Sequence, residues 1–326
     1  MQYNGLLEIA DNFDLFIFDA YGVFWEGNGF YKGSREVMQH LVAHGKNVAV
    51  LSNTTQLRQT AIEGYIKKGL LPQRDYNMFI TSGDLLYKNL HEESLEFQNL
   101  RAPLKYYVIG SPHIQAFAAT KYIEVKNIEE ADFVYCGVPY VFAADKEKYR
   151  QLDEYFWPAK SDENGNITAW DSVIEQPFAE IVDKVIELRL PALNANPDFM
   201  AKEGHKLVPG LEAVFVVRNG TVAEMIRKRG GEVLEYGKPH KNIYDYAFEE
   251  FGKQGININK QRCCMIGDTV RTDIKGAINA GIAPILCTAT GVTAEEIFKG
   301  NTLESLCNNE NIELKQIIQI KSVGGG

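Results

Sequence analysis

Six side chains of this 326-residue chain sit where short apolar runs give way to polar sequence. Asp19 follows FDLFIF (13–18), Ser52 and Asn53 close VAVLSN, Lys238 lies in YGKPH, and Asp268 and Asp273 lie in IGDTVRTDIKGA. Each alone reads as an ordinary turn or helix-cap residue. Together they have a chemical logic. A carboxylate nucleophile, a hydroxyl and an amide donor, an ammonium and a carboxylate pair are what attack on a phosphoryl group requires. The ammonium and a metal would neutralise charge on the phosphoryl oxygens, while the hydroxyl fixes their orientation. Asp268 and Asp273, five apart across a strand–loop–helix junction, can face one cation, and Gly267 is expected to let the backbone turn tightly at the strand end.

These residues need a scaffold that delivers strand ends to one place. FDLFIF (13–18) and NVAVLS (47–52) read as strands, SREVMQHLVAHG (34–45) and QTAIEGYIKKG (59–69) as helices. The pattern recurs late in the chain. KNIYDYAFEEF (241–251) reads as helix, RCCMIG (262–267) as strand, TDIKGAINAG (272–281) as helix and IAPILC (282–287) as strand. Alternation of this kind predicts a doubly wound parallel sheet, with strands covered on both faces and ligands collecting at their carboxyl ends. Between the two halves, KYYVIG (105–110) and DFVYCG (132–137) read as strands, residues 145–156 as a helix and SDENGN (161–166) as a polar turn. The expected organisation is therefore a core at 1–83, an inserted α/β domain at 84–189 and the rest of the core at 190–326.

Composition excludes other classes. The chain is 45% hydrophobic, enough for a sizeable core, and carries a formal charge of −9 with its basic residues scattered. It offers no basic stripe for nucleic acid or an anionic membrane. The uncharged stretch AGIAPILCTATGV (280–292) is too short to span a bilayer. The N-terminus lacks a secretory-signal pattern, so a cytoplasmic location is expected. Five cysteines with no metal-ligand spacing read as reduced core residues.

The six residues, in their order, resemble the four motifs of the haloacid dehalogenase superfamily. DAYGVFWEGNGFYKGS, LNANPDF (193–199), LVPG (207–210), YGKPH, GDTVRTDIKGAINAGI and TGVT (290–293) are similar to its class IIA branch of 4-nitrophenylphosphatase-like and sugar- or nucleotide-phosphate phosphatases. The resemblance implies a Rossmann-like core with an inserted α/β class II cap, and a Mg²⁺-dependent hydrolase. Asp19 would attack phosphorus to form an aspartyl-phosphate. Mg²⁺ would be held by the side chains of Asp19 and Asp268 and the backbone carbonyl of Tyr21, with Asp273 helping. Ser52, Asn53 and Lys238 would hold the phosphoryl group. Asn196 and Asp198 would shape the core near the cap hinge. The partner would be a small phosphorylated metabolite beneath the cap, and related caps suggest a homodimer.

Tyr21 departs from that pattern. Family phosphatases normally carry aspartate there, to protonate the leaving oxygen and later activate water. A tyrosine of ordinary pKa, about 10, is a poor base at neutral pH, and losing positioned acid–base catalysis costs on the order of 10²–10⁴ in rate. Slow or substrate-restricted hydrolysis is expected. Two alternatives compete: a carbon–halogen hydrolase, because FDAYG resembles the first motif of the true dehalogenases, and a catalytically retired phosphometabolite-binding protein. In the insert, Tyr135, Tyr140, Phe142, Tyr155, Phe156 and Trp157 fit a core better than a stacking platform, and His113 and His240 read as helix-start or surface residues.

Overall fold

The computed structural model describes residues 2–92, 95, 104–110, 114–138, 170–203 and 214–325. Its strands are β1 (Gln2–Tyr3), β2 (Leu15–Phe18), β3 (Asn47–Ser52), β4 (Met78–Thr81), β5 (Lys105–Ile109), β6 (Ile123–Glu124) and β7 (Phe133–Cys136). They continue as β8 (Ala192–Asn194), β9 (Met200–Glu203), β10 (Val214–Val217), β11 (Val233–Glu235), β12 (Cys263–Gly267), β13 (Ala283–Cys287) and β14 (Ile318–Ile320). Seven of them form a parallel sheet in the order β1-β14-β13-β12-β2-β3-β4. The chain leaves β2 toward β3 on one side and later returns to β12 on the other. The carboxyl ends of β2 and β12 thus flank a topological switch point, the crevice where such sheets bind ligands.

Burial explains why FDLFIF takes this central place. Leu15 and Ile17 enter one hydrophobic core, and Phe16 and Phe18 enter the core on the opposite face. With all four buried, β2 has the all-apolar character of a strand covered on both sides. Helices α1 (Ser34–Ala43) and α2 (Arg58–Lys67) follow β2 and β3, close to where the spacing of apolar residues puts them.

A second parallel sheet has the order β11-β8-β7-β5-β6. Its residues alternate between two cores. Tyr107, Ile109, Val134 and Cys136 face the helices Trp170–Glu187 and Asn219–Lys228. Tyr106, Val108, Phe133 and Tyr135 face the other way and join Leu15, Ile17 and Met265 of the first sheet in one core. Helices α3 (Ser82–His91) and Lys241–Lys253 contribute Leu85, Leu86, Ile243 and Tyr244 to that same core. Tyr135 is therefore a core residue, fully buried. Strands β9 and β10 form a separate antiparallel pair.

The observed elements differ from the sequence reading in several places. The chain passes residue 84 inside α3, and the second sheet takes β8 and β11 from beyond residue 189. The segment expected as one helix over 272–281 is a π-turn at Val270–Ile274 followed by a short helix at Lys275–Ala280. Strand β4 was not anticipated, because MFIT is a four-residue buried run with no alternation to mark it. The expected helix at 145–156, the turn at 161–166, LVPG at 207–210, His113, Tyr140, Phe142, Tyr155, Phe156 and Trp157 lie outside the described residues. Among the described residues no helix is long and apolar enough to cross a membrane. All five cysteines are buried and unbridged.

Candidate active site

Parallel pairing of β2 with β3 and with β12 brings Asp19, Ser52 and Asp268 out side by side at one sheet edge. Lys238 arrives from the second sheet, three residues after β11. Its side chain is 1% exposed, and its ammonium bridges Asp19 Oδ1 at 2.5 Å and Asp273 Oδ1 at 2.8 Å. Oxygens of Asp19, Asp268 and Asp273 lie within 4.8 Å of one another.

Backbone groups fix the two late carboxylates. Asp273 Oδ2 accepts from the N–H groups of Asp268 and Thr269, both at 3.1 Å. The π-turn leaves room for that fold-back, a common use of this irregularity at functional sites. Gly267 serves the same contact rather than a tight turn, since a Cβ there would lie 2.1 Å from Cβ of Asp273. Asp268 Oδ2 accepts from Val292 N–H at 2.6 Å. Gly22 and Gly291, at φ +82° and +66°, close over the same carboxylate, where added Cβ atoms would sit 2.2 and 1.9 Å from Oδ2. The backbone of the Tyr21–Gly22 loop therefore lies against Asp268.

Asn53 turns inward. Its Oδ1 accepts from Lys238 N–H at 2.7 Å, and its Nδ2 donates to Lys238 C=O and to Asp198 Oδ1, both at 3.0 Å. Ser52, Asp19, Tyr21 and Asp268 line a cavity of about 380 Å³, whereas Lys238, Asp273 and Asn53 lie beneath it. Asn196 and Asp198 line the cavity too. His240 stands apart, with Nε2 3.2 Å from Glu235 Oε2.

The electrostatics follow from burial. Asp19 is pushed up to about 7 by burial, against the pull of Lys238 and with Asp273 and Asp198 adding to the rise. Asp268 is driven well above the usual carboxylate range by burial, reinforced by Asp273 and Asp19. Burial also raises Asp198. Burial works against the charge on Lys238, yet Asp19, Asp273 and Asp198 outweigh it and hold the ammonium charged well above its ordinary range. Three clustered carboxylates against one ammonium leave a surplus of negative charge that a divalent cation would relieve. An all-oxygen donor set suits a hard ion such as Mg²⁺.

Sequence reasoning missed Lys68, Arg218 and Asn219, which line the same cavity. Arg218 and Asn219 follow β10 directly, so inspecting strand ends in the middle of the chain would have found them. Lys68 follows a helix, and nothing local marks it.

Two family models match the chain: haloacid dehalogenase-like hydrolase over residues 16–124 and HAD-hydrolase-like over residues 235–305. Phosphoglycolate phosphatase 2 of Arabidopsis thaliana is 25% identical over 319 residues, spanning 91% of this chain and 90% of that protein. The 4-nitrophenylphosphatase of Schizosaccharomyces pombe is 24% identical, spanning 89% and 88%. In fold, the chain is similar to a haloacid dehalogenase-like hydrolase from Brucella suis 1330, with TM-score 0.71, 21% identity and coverage of 98% and 99%.

Asn53→Ala would leave the buried Lys238 peptide groups and Asp198 short of partners. Urea unfolding should show a loss of about 1–3 kcal/mol. A pH series tests the carboxylate cluster. With Asp19 folded near 7 and unfolded near its ordinary 3.8, the metal-free fold binds more protons than the unfolded chain between those values. Its stability should therefore fall as pH rises from about 4 to 7, by up to about 1.4 kcal/mol per pH unit for this group. Thermal melts in EDTA should show that decline, and Asp19→Asn should make it shallower.

Proposed function

This chain belongs to the class IIA branch of the haloacid dehalogenase-like hydrolases, and from that premise we propose that it is a Mg²⁺-dependent phosphohydrolase of small phosphate esters. The observation that carries the reading is one cluster: Asp19 on the cavity wall, ion-paired to Lys238 and grouped with Asp268 and Asp273. Asp19 is the nucleophile. Lys238 engages its Oδ1, favours the ionised form and leaves Oδ2 to attack phosphorus, forming an aspartyl-phosphate as the ester oxygen departs. Water then hydrolyses that adduct and regenerates the carboxylate. The hydroxyl of Ser52, on the cavity wall, orients the phosphoryl group.

Mg²⁺ would be held by the side chains of Asp19 and Asp268 and by the Tyr21 carbonyl, with Asp273 in support. The approach of the Tyr21–Gly22 backbone to Asp268 favours that set. Bound there, the ion would supply positive charge to the phosphoryl oxygens. The second sheet and its flanking segments form the cavity's other wall, through Val138, Asn196, Asp198, Arg218 and Asn219. This arrangement favours small molecules, and we place the cap of the enzyme in that layer, including β8 and β11. Tyr21 supplies no carboxylic acid for the leaving oxygen, so aryl and acyl phosphates, whose leaving groups need little protonation, should turn over fastest.

Phosphate release from 4-nitrophenyl phosphate, acetyl phosphate and alkyl phosphates, with Mg²⁺ and with EDTA, tests the reading. Activity should require the metal and vanish in Asp19→Asn. Tyr21→Asp should raise turnover of alkyl phosphates tenfold or more, within the roughly 10²–10⁴ that positioned acid–base catalysis contributes. Absence of phosphate release by both wild type and Tyr21→Asp, or halide release from 2-haloacids without metal, would overturn it.

A further inference from the structure

Arg271 stands in the π-turn between Asp268 and Asp273, yet its side chain leaves that segment. The carbon of its guanidinium lies 3.4 Å from the centre of the Phe199 ring, and Nη1 donates to Pro197 C=O at 2.9 Å. Glu310 balances the charge with Oε1 3.9 Å from Nε, and Lys275 holds the other oxygen of Glu310 at 2.6 Å. Arg271 therefore grips the chain on both sides of Asp198, which lines the active-site cavity together with Met200 and Ala201. The helix Asn219–Lys228 closes on the same short segment. Gly220 N–H donates to Asp198 C=O at 3.1 Å, and a Cβ at Gly220 would stand 2.3 Å from the Pro197 oxygen. Arg218 and Asn219, at the start of that helix, belong to the same wall of the cavity.

This wall has open space on both faces. A second cavity, also about 380 Å³, is lined by Phe199 and Arg271, and Asp198 and Met200 line both cavities. A partition of this kind has no continuous core behind it, so point contacts must fix its place. Arginine suits the task because its planar group stacks on a ring and donates at the same time, which an ammonium cannot combine. We propose that Arg271 is a positioning residue: it holds the wall formed by residues 197–201 at a set distance from the turn that carries Asp273. Through that wall it places the organic part of a phosphate ester while the phosphate sits at the Asp19 end. The inference rests on reading the site as a phosphohydrolase.

Calorimetry with Mg²⁺ in the Asp19→Asn background, which blocks turnover, tests it with two ligands. Inorganic phosphate fills only the Asp19 end, whereas 4-nitrophenyl phosphate also reaches the wall. Adding Arg271→Met should weaken the ester roughly tenfold or more and leave phosphate within about twofold, a split that general loss of the fold or of the metal would not produce. Arg271→Lys and Phe199→Leu should behave like Arg271→Met, and Phe199→Tyr should keep the parent ratio. Hydrogen exchange gives a readout that needs no ligand. Protection across residues 197–203 should fall roughly tenfold in Arg271→Met and in Phe199→Leu, with β2 and β12 unchanged. Faster exchange confined to that segment, together with selective loss of the ester, supports the inference. Unchanged exchange in both variants, equal losses for the two ligands, or full rescue by Arg271→Lys would overturn it. If neither phosphate nor the ester binds, the hydrolase reading fails, while the exchange result still decides whether Arg271 holds the wall.

Discussion

The structure depends on one buried ammonium. Lys238 is almost wholly removed from water, a position that strongly disfavours a charged lysine unless opposite charges surround it. Asp19 and Asp273 provide that surrounding at 2.5 and 2.8 Å. The pair also does mechanical work. Asp19 follows β2 of the seven-stranded sheet, whereas Lys238 follows β11 of the other sheet, so the ion pair ties the two sheets together. Asn53 secures the same tie from the side, because its amide satisfies both peptide groups of Lys238. A residue first considered for its chemistry thus turns out to hold the lysine in register. Gly237 is part of the arrangement, since a Cβ there would stand 2.6 Å from Asn53 Oδ1.

Around that tie, glycine is used for proximity more than for flexibility. Gly22, Gly267 and Gly291 each bring backbone against a carboxylate of the cluster at a distance no side chain would permit. The result is a set of acids held by N–H groups and a buried lysine, with little freedom to spread apart as their charges repel. Burial and mutual repulsion then raise Asp19 and Asp268 together. A site so preorganised gains most from an added positive charge, because no carboxylate has to be brought in from solvent to meet it.

How much of this was legible follows from the physics of each feature. The parallel core could be read from FDLFIF, NVAVLS and RCCMIG, since a strand buried on both faces leaves a continuous apolar run. The site acids were legible because they follow such runs and because GDTVRTDIKGA keeps its two carboxylates in one short segment. The inward role of Asn53 was not legible, since its partners lie 145 and 185 residues away in sequence. Strands β8 and β11 were not legible for a similar reason: they are three residues each and pair with strands far from them in sequence. The π-turn was hidden because TDIKGAINAG has the composition of a regular helix, and only the backbone bonds made by Asp273 show why it opens with a wider turn. Lys68 escaped notice because the rings around it, Tyr21, Trp25 and Tyr65, come from two segments.

The loop that carries Tyr21 follows the nucleophile directly. Its backbone closes on itself, with Gly22 N–H donating to Trp25 C=O at 2.9 Å and Trp25 N–H to Ala20 C=O at 3.0 Å. Trp25 packs edge-on against Phe30 at 5.0 Å between ring centres, and Phe24 meets both Phe30 and Tyr65. These contacts are made by residues 20–30 and by α2, and the Tyr21 side chain packs, partly buried, against the same core. A carboxylate would offer a proton-transfer group beside Asp19, whereas a phenol ring adds a third aromatic face to Lys68. On the proposed phosphohydrolase reading, the two half-reactions draw on different parts of the site: the carboxylates that serve attack are held by Lys238 and backbone N–H groups, and proton transfer to the leaving oxygen falls to position 21.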